Sequence, residues 1–199
     1  GMPRSDGLYP GETPTSDVVN KLVSKYPNKK WIIDGGALQE IDSSLLNHNH
    51  IITPHRGEWE RFTEKIQNSK YKTQNWDNID ERAQVIQRFA EAYNNVTILA
   101  KGLVDVVCQG EQCTAVEGGN AGMTKGGTGD VLAGVVAALY AKNDALLSAQ
   151  AASYLTKKAG EKAFEAKGYW FGAGDVIFSL NVKDIYLNSV IQSIIFLYY

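Results

Sequence analysis

The sequence predicts an α/β fold in which a mostly parallel central sheet is flanked by helices. Three observations predict it. Short apolar runs at 31–34, 51–53 and 96–100 alternate with longer segments whose apolar residues recur at helical spacing. Each run is followed at once by polar or glycine residues: Asp34-Gly35-Gly36, Thr53-Pro54-His55 with Glu58, and Lys101-Gly102. In such sheets, ligands bind beyond the carboxyl ends of the strands. A glycine-rich stretch, Gly126-Gly127-Thr128-Gly129-Asp130, stands directly before an apolar helix-forming run.

The elements follow in order. Residues 1–15 are rich in Pro, Gly, Thr and Ser and read as loop. Thr15-Ser16-Asp17 opens a helix with Val18, Val19, Leu22 and Val23 as its apolar stripe, ending before Pro27. Trp31-Ile32-Ile33-Asp34 is a short buried strand. Ile51-Ile52-Thr53 is a second, stopped by Pro54. A helix is expected over 79–94, with Ala83, Ile86, Phe89, Ala90 and Tyr93 on one face. Val96 to Ala100 is a third strand. Val104 to Cys108 and Cys113 to Glu117 form a hairpin. One helix then runs from Asp130 to about Ala141. Another spans 145–166, with Ala152, Leu155, Ala159 and Ala163 inward. There is no internal repeat, and residues 1–184 read as a single domain.

The chain has 199 residues, with 20 Lys and Arg against 22 Asp and Glu, so its net charge is −2. That balance argues against a broad nucleic-acid surface. The N-terminus has no basic-then-apolar leader pattern, and Gly1 before Met2 reads as a remnant of tag removal. A cytoplasmic protein without a membrane span is expected. Two cysteines, Cys108 and Cys113, are too few for a secreted disulfide framework. A two-residue turn at Gly110-Glu111 would set them opposite each other, close enough to bond. The cytoplasmic expectation favours a reduced pair, and metal binding there is not expected without further ligands.

Glycines 126, 127 and 129 permit unusual backbone angles and leave no Cβ between chain and ligand. The following helix points its free N–H groups into this loop, so the two make an anion site. Thr128 adds a hydroxyl. The stretch is neither a Walker loop nor a Rossmann fingerprint. Asp130 has two readings. It is a general base that takes a proton from a hydroxyl as phosphate arrives, or it is the helix N-cap. The Gly118-to-Met123 run just upstream favours the first.

The stretch from Gly119-Asn120-Ala121-Gly122-Met123 through Gly134 strongly resembles the signature of the ADP- or ATP-dependent NAD(P)H-hydrate dehydratases of the ribokinase-like superfamily. Two further motifs agree in order and spacing: Ile52-Thr53-Pro54-His55-Arg56-Gly57-Glu58 and Leu99-Ala100-Lys101-Gly102. Gly174-Asp175-Val176-Ile177 resembles the end of the family domain, so the likeness covers about residues 30–182. It implies a ribokinase-like three-layer fold and a cofactor-repair reaction. In that reaction the hydroxyl on a hydrated NADH or NADPH ring is phosphorylated from ADP or ATP, and phosphate is then eliminated.

The resemblance implies roles as well. Asp130 is the catalytic acid/base, and His55, Asp130 and Asp34 contact the hydrated cofactor. Lys101, Gly102, Leu103, Val104, Asp105, Asn120, Gly126, Gly127, Thr128 and Gly129 bind the nucleotide, and Glu58 helps to order Mg²⁺. The Gly-Gly-Thr-Gly-Asp form looks more like the ADP-using microbial type. A homo-oligomer is expected. The residues also carry plainer readings: Lys101 as a solvated surface lysine, Glu58 as a first-turn glutamate complementing the helix dipole, and His55 as a turn residue.

The pattern departs from the family in two places. Only about 29 residues precede the segment at 30–34, where members usually carry more elements, and Gly7-Leu8-Tyr9-Pro10-Gly11 weakly echoes a missing glycine loop. Asp34-Gly35-Gly36-Ala37-Leu38 lacks the second acid of the family's Asp-Ala-Asp-Ala-Leu. Residues 185–199 hold 11 apolar residues of 15 at helical spacing, too few for a membrane span, and are expected to pack as an apolar helix or tail. Two other functions fit the same residues: a ribokinase-like kinase for a vitamin precursor or sugar, and a non-catalytic nucleotide-binding remnant.

Overall fold

The structure is a computed structural model describing residues 13–66 and 69–181. The expected apolar segment at 185–199 lies outside the described residues, as does the Gly7–Gly11 stretch.

Five strands form one sheet in the order β1-β2-β3-β4-β5: Trp31–Ile33, His50–Ile52, Thr97–Ala100, Asp105–Gln109 and Gln112–Val116. The first three pair in parallel, with Ile32 opposite Ile51 and Ile52 opposite Ile98. The last two pairings are antiparallel. The expectation of a mostly parallel sheet therefore holds for one half only. Connection length explains the change. A parallel return needs a crossover of a dozen or more residues. Residues 34–49 and 53–96 supply such crossovers, but only Lys101–Val104 join β3 to β4, and Gly110-Glu111 joins β4 to β5. Gly110 takes a φ of +55° to close that tight turn.

Helices cover both faces, giving the three layers. On one side α1 (Thr15–Lys25), α2 (Gly35–Glu40), α3 (Arg56–Ile66) and α4 (Ile79–Ala92) bury Val19, Leu38, Trp59, Phe62, Ile86 and Phe89 against Ile33, Ile52, Ile98 and Val106. On the other, α5 (Thr128–Tyr140) and α6 (Ala145–Lys167) bury Leu132, Val136, Ala149 and Ala152 against Ile51, Leu99 and Val107. Alternate strand residues thus face opposite cores, as a pleated strand requires. A smaller cluster joins Ala159, Ala163 and Phe171 to Val176 of α7 (Ala173–Ser179). Asn78 and Asp144 accept from Glu81 N–H and Leu147 N–H to cap α4 and α6.

Helix α2 adds to the sequence reading, which expected no helix directly after Asp34-Gly35-Gly36. Gly35 turns the chain at a φ of +56° and the helix starts at once. The cysteines are a departure. Cys108 and Cys113 are register partners whose Cα atoms lie 4.2 Å apart, and their sulfurs are bonded rather than reduced. No described helix is long and apolar enough to cross a membrane.

Candidate active site

The three suspicious strand ends converge. Asp34 follows β1, Thr53 and His55 follow β2, and Lys101 follows β3. Lys101 N–H donates to Pro54 O at 2.8 Å, which extends the β2–β3 pairing past the last regular residues. The Lys101 ammonium donates to Asp34 Oδ1 at 2.9 Å and lies 3.3 Å from Glu58 Oε2. Thr53 Oγ1 donates to the same Asp34 oxygen at 2.7 Å. Lys101 is therefore a largely buried cation between two carboxylates, not a solvated surface lysine.

Helix α3 begins immediately after His55, which puts Glu58 back over the start of the helix. Glu58 Oε2 accepts His55 N–H at 2.9 Å, while Glu58 N–H donates to His55 Nδ1 at 3.3 Å. This reciprocal cap leaves the His55 Nε2 edge facing outwards, 3.5 Å from Glu58 Oε1. Glu58 does serve the helix start, and it also holds Lys101. Its dipole role and its place in the site are one arrangement.

The glycine loop is built from below. Asn120 Oδ1 accepts Gly122 N–H at 3.0 Å, and its Nδ2 donates to Gly160 O at 2.9 Å, so this side chain holds the loop to α6. Gly119 N–H donates to Glu161 Oε1 at 2.9 Å. Burial alone would raise the Glu161 carboxyl, but Lys158 and that N–H outweigh it and hold it below the usual range. Lys125 donates to the carbonyls of Tyr169 and Phe171, which ties the loop to the segment before α7.

Gly127 takes a φ of +90° and is the N-cap of α5, with no side-chain cap bond. Asp130 is thus not the N-cap. It is the third residue of the helix, exposed, with its carboxylate unpartnered among the described residues. The N–H groups of Gly126, Gly127, Gly129 and Asp130 likewise donate to no described acceptor, so the helix end presents open donors. Thr128 corrects an expectation. Its hydroxyl is buried, 2.6 Å from Met123 O and 2.8 Å from Lys125 O, and braces the loop from inside.

A cavity of about 890 Å³ joins the two regions. Asp34, His55, Glu58, Lys101, Gly102, Leu103, Asp105, Asn120, Gly126, Gly127, Thr128, Gly129 and Asp130 all line it. Among the expected site residues Val104 alone does not, because its carbonyl turns inward to the Arg82 guanidinium. A Cβ on Gly129 would lie 3.6 Å from the Lys101 ammonium, so loop and strand ends meet there. Asp105 lines the wall, yet its carboxylate is engaged with Gly102 N–H at 2.9 Å and Ser153 Oγ at 2.7 Å.

Sequence reasoning missed Lys157, Ser153 and Arg82. Lys157 reaches the carbonyls of Leu103 and Gly118 from α6. Ser153, Lys157 and Gly160 lie at i, i+4 and i+7, so the helical spacing held the signal that this lysine faces inward.

The sheet order, the two helical layers and the cavity above the strand ends define a ribokinase-like α/β protein with a glycine loop at a helix start. Solved structures agree. A ribokinase-like superfamily protein from Enterococcus faecalis has a TM-score of 0.63 at 24% identity, covering 83% of this chain and 56% of that one. An ADP/ATP-dependent NAD(P)H-hydrate dehydratase from Bacillus subtilis, co-crystallised with ATP and Mg²⁺, has a TM-score of 0.57 at 25% identity, covering 75% and 52%.

The family model for NAD(P)H-hydrate dehydratase matches residues 7–179, and the chain belongs to that family. It is 34% identical over 175 residues to a bifunctional NAD(P)H-hydrate repair enzyme of Methanocaldococcus jannaschii, covering 86% of this chain and 31% of that protein. It is 37% identical over 146 residues to an ADP-dependent (S)-NAD(P)H-hydrate dehydratase of Cenarchaeum symbiosum, covering 72% and 48%. The chain thus spans a third to a half of the length of these curated relatives.

Proposed function

We propose that this chain restores NADH and NADPH from their hydrated forms, using ADP or ATP as the phosphoryl donor. The observation that carries the reading is the open Asp130 carboxylate, set one turn into a helix whose N-terminal donors are unpartnered and face the same cavity. A carboxylate beside an anion site is repulsive at rest. It becomes useful when a hydroxyl must lose a proton as it attacks phosphorus.

The ring hydroxyl oxygen attacks the terminal phosphorus of the donor, and the bond from that phosphorus to the rest of the nucleotide breaks. Asp130 takes the hydroxyl proton. The N–H groups of the 126–130 loop stabilise the negative charge on the transferring group. Lys101, held by Asp34 and Glu58, adds an ammonium beside Gly129. The ring carbon–oxygen bond then breaks, phosphate leaves with the electron pair, and loss of a ring proton restores the double bond. The exposed His55 and the part-buried Asp34 hold the nicotinamide side of the cavity, while Lys101–Asp105, Asn120 and the glycine loop hold the nucleotide.

The residues fit Mg²⁺ arriving with the nucleotide. Among the described residues no cluster of three or more His, Cys, Asp or Glu forms a protein cage. Mg²⁺ characteristically takes one or two carboxylates, with phosphates and waters completing its shell. Asp34 and Glu58 are the two carboxylates that would hold it, through lone pairs not used by Lys101, Thr53 and His55. When bound, the metal would neutralise phosphate charge.

The test uses the purified chain with hydrated NADH, Mg²⁺ and ADP or ATP, following NADH absorbance. Nucleotide-dependent recovery that is lost in Asp130→Asn is the expected result. No recovery, together with nucleotide hydrolysis stimulated by a vitamin precursor or sugar alcohol, would replace this reading with a small-molecule kinase. Nucleotide binding without any turnover would leave a binding protein.

A further inference from the structure

The turn between β3 and β4 is gripped from two sides. Beneath it, Trp76 Nε1 donates to Lys101 O at 3.0 Å, and the buried Arg82 donates to Val104 O. From α6, the Lys157 ammonium lies 3.0 Å from Leu103 O and 3.5 Å from Gly102 O. The same ammonium reaches Gly118 O at 3.2 Å, beyond the end of β5, and lies 3.5 Å from Asp105 Oδ1. Its stem packs under the glycine pair at that exit. Gly118 and Gly119 have φ values of +105° and +76°, and a Cβ on Gly119 would meet Lys157 Cγ at 3.3 Å.

Lys157 therefore ties together the two chain segments that flank the β4–β5 hairpin at the cavity. It is itself only 6% exposed. An ammonium has three donors, and the three carbonyls account for them, with Asp105 as the nearby counter-charge. Its carbonyl partners all sit in the two turns, and none is within a regular strand or helix. A lysine buried this deeply is costly, and apolar side chains in place of a whole buried ion pair often serve stability as well or better. The ammonium has a use here because its three donors draw carbonyls of separate turns to one point.

We propose that Lys157 is the positioning residue for the donor nucleotide, setting the spacing between the 102–105 turn and the 118–119 exit without touching the reacting atoms. This rests on the nucleotide-binding reading above. Asp105 and Ser153 complete the tie by fixing Gly102 N–H on the opposite side of the same turn. The nicotinamide half, with His55 and Asp34, is held by separate contacts and does not depend on Lys157.

The test compares the full wild-type chain with Lys157→Met and Lys157→Gln. Binding of ADP and ATP is measured by calorimetry, KM is measured separately for nucleotide and for hydrated NADH, and thermal melting is recorded. The expected result for Lys157→Met is a loss of nucleotide affinity of about ten-fold or more, with the KM for hydrated NADH changed less than about two-fold. Lys157→Gln, which keeps a donor, shows the same split more weakly. Unchanged nucleotide binding, or equal losses for both ligands, overturns the proposal. If neither variant folds, amide exchange in the wild type decides. ADP must slow exchange at Leu103, Val104 and Gly119 together, and protection of one turn alone overturns the coupling. A wild type that binds nucleotide but restores no NADH defeats the proposed reaction and leaves this tie intact. A wild type that binds no nucleotide defeats both.

Discussion

The strand ends and the glycine loop face one cavity but treat their polar groups in opposite ways. At the strand ends, Asp34, Thr53, His55, Glu58 and Lys101 satisfy one another at distances of 2.7–3.5 Å. At the loop, the backbone donors of Gly126, Gly127, Gly129 and Asp130 and the Asp130 carboxylate have no described partner. The side chains of the first region hold one another in place, while the second presents backbone donors that no described group accepts. Its side chains that do make contacts, Asn120, Thr128 and Lys125, bond to backbone groups and brace the loop. The difference separates groups that shape a site from groups that react in it.

Exchanging one residue in each region tests that division most strongly. Asp130→Asn is expected to reduce NADH recovery by about 10²–10⁴-fold. Because the carboxylate is exposed and unpartnered, its melting curve should stay within about 0.5 kcal/mol of wild type. Lys101→Met is the mirror experiment. It leaves Asp34 and Glu58 facing each other without their cation, and a loss of about 2–3 kcal/mol in denaturant unfolding is expected. An equally stable Lys101→Met would show that the strand-end cluster is not held by its charges.

Gly122→Ala breaks the loop from beneath. A Cβ there would lie 2.5 Å from Phe171 Cε1 and 2.9 Å from Asn120 Oδ1, and Phe171 is fully buried. A cost of about 1–3 kcal/mol is expected by urea unfolding, with weakened nucleotide binding. Full stability would mean that the loop can lift from α6 without penalty.

The smallest effect lies away from both regions, at His50 in β2. Burial holds its imidazole pKa below the ordinary value, the carbonyl of Pro27 opposes this, and His48 adds to it. The unfolded chain therefore binds the proton first. Stability is fully present above about pH 6.5 and falls as the pH drops below that value toward the depressed folded pKa. Melting temperatures recorded from about pH 7.5 down to 5.5 should show this slope, and His50→Gln should flatten it. A variant with an unchanged slope would assign the acid sensitivity elsewhere.

Much of the fold was legible because its signals are local. The short, mostly apolar runs at 31–34, 51–53 and 96–100 each became a strand, as segments covered by helices on both faces must be apolar on both. The helix over 145–166 was legible from its alanine and leucine spacing. Helix α2 was not, since two glycines normally end an element, and here Gly35 supplies a positive φ that starts one. The antiparallel half was in part legible: the hairpin at Cys108 and Cys113 shows in the sequence, and only the pairing of β3 with β4 needed the short Lys101–Val104 turn. The bonding of the two cysteines rests on register, which places their Cα atoms 4.2 Å apart.

By itself, the sequence determined the chemistry: which residues stand at the ends of apolar runs, and that an acid follows a glycine loop at a helix start. Spacing along the chain is enough for this, because strand ends and helix N-termini are local features. Only the tertiary structure decided which of those groups remain free. Lys101 is neutralised by acids 67 and 43 residues before it in the chain, and Lys157 gathers carbonyls from turns about 40 to 55 residues away. Partnership across such separations depends on how sheet and helices pack, since a charge is satisfied by what lies within a few ångströms in space and not by its neighbours in sequence.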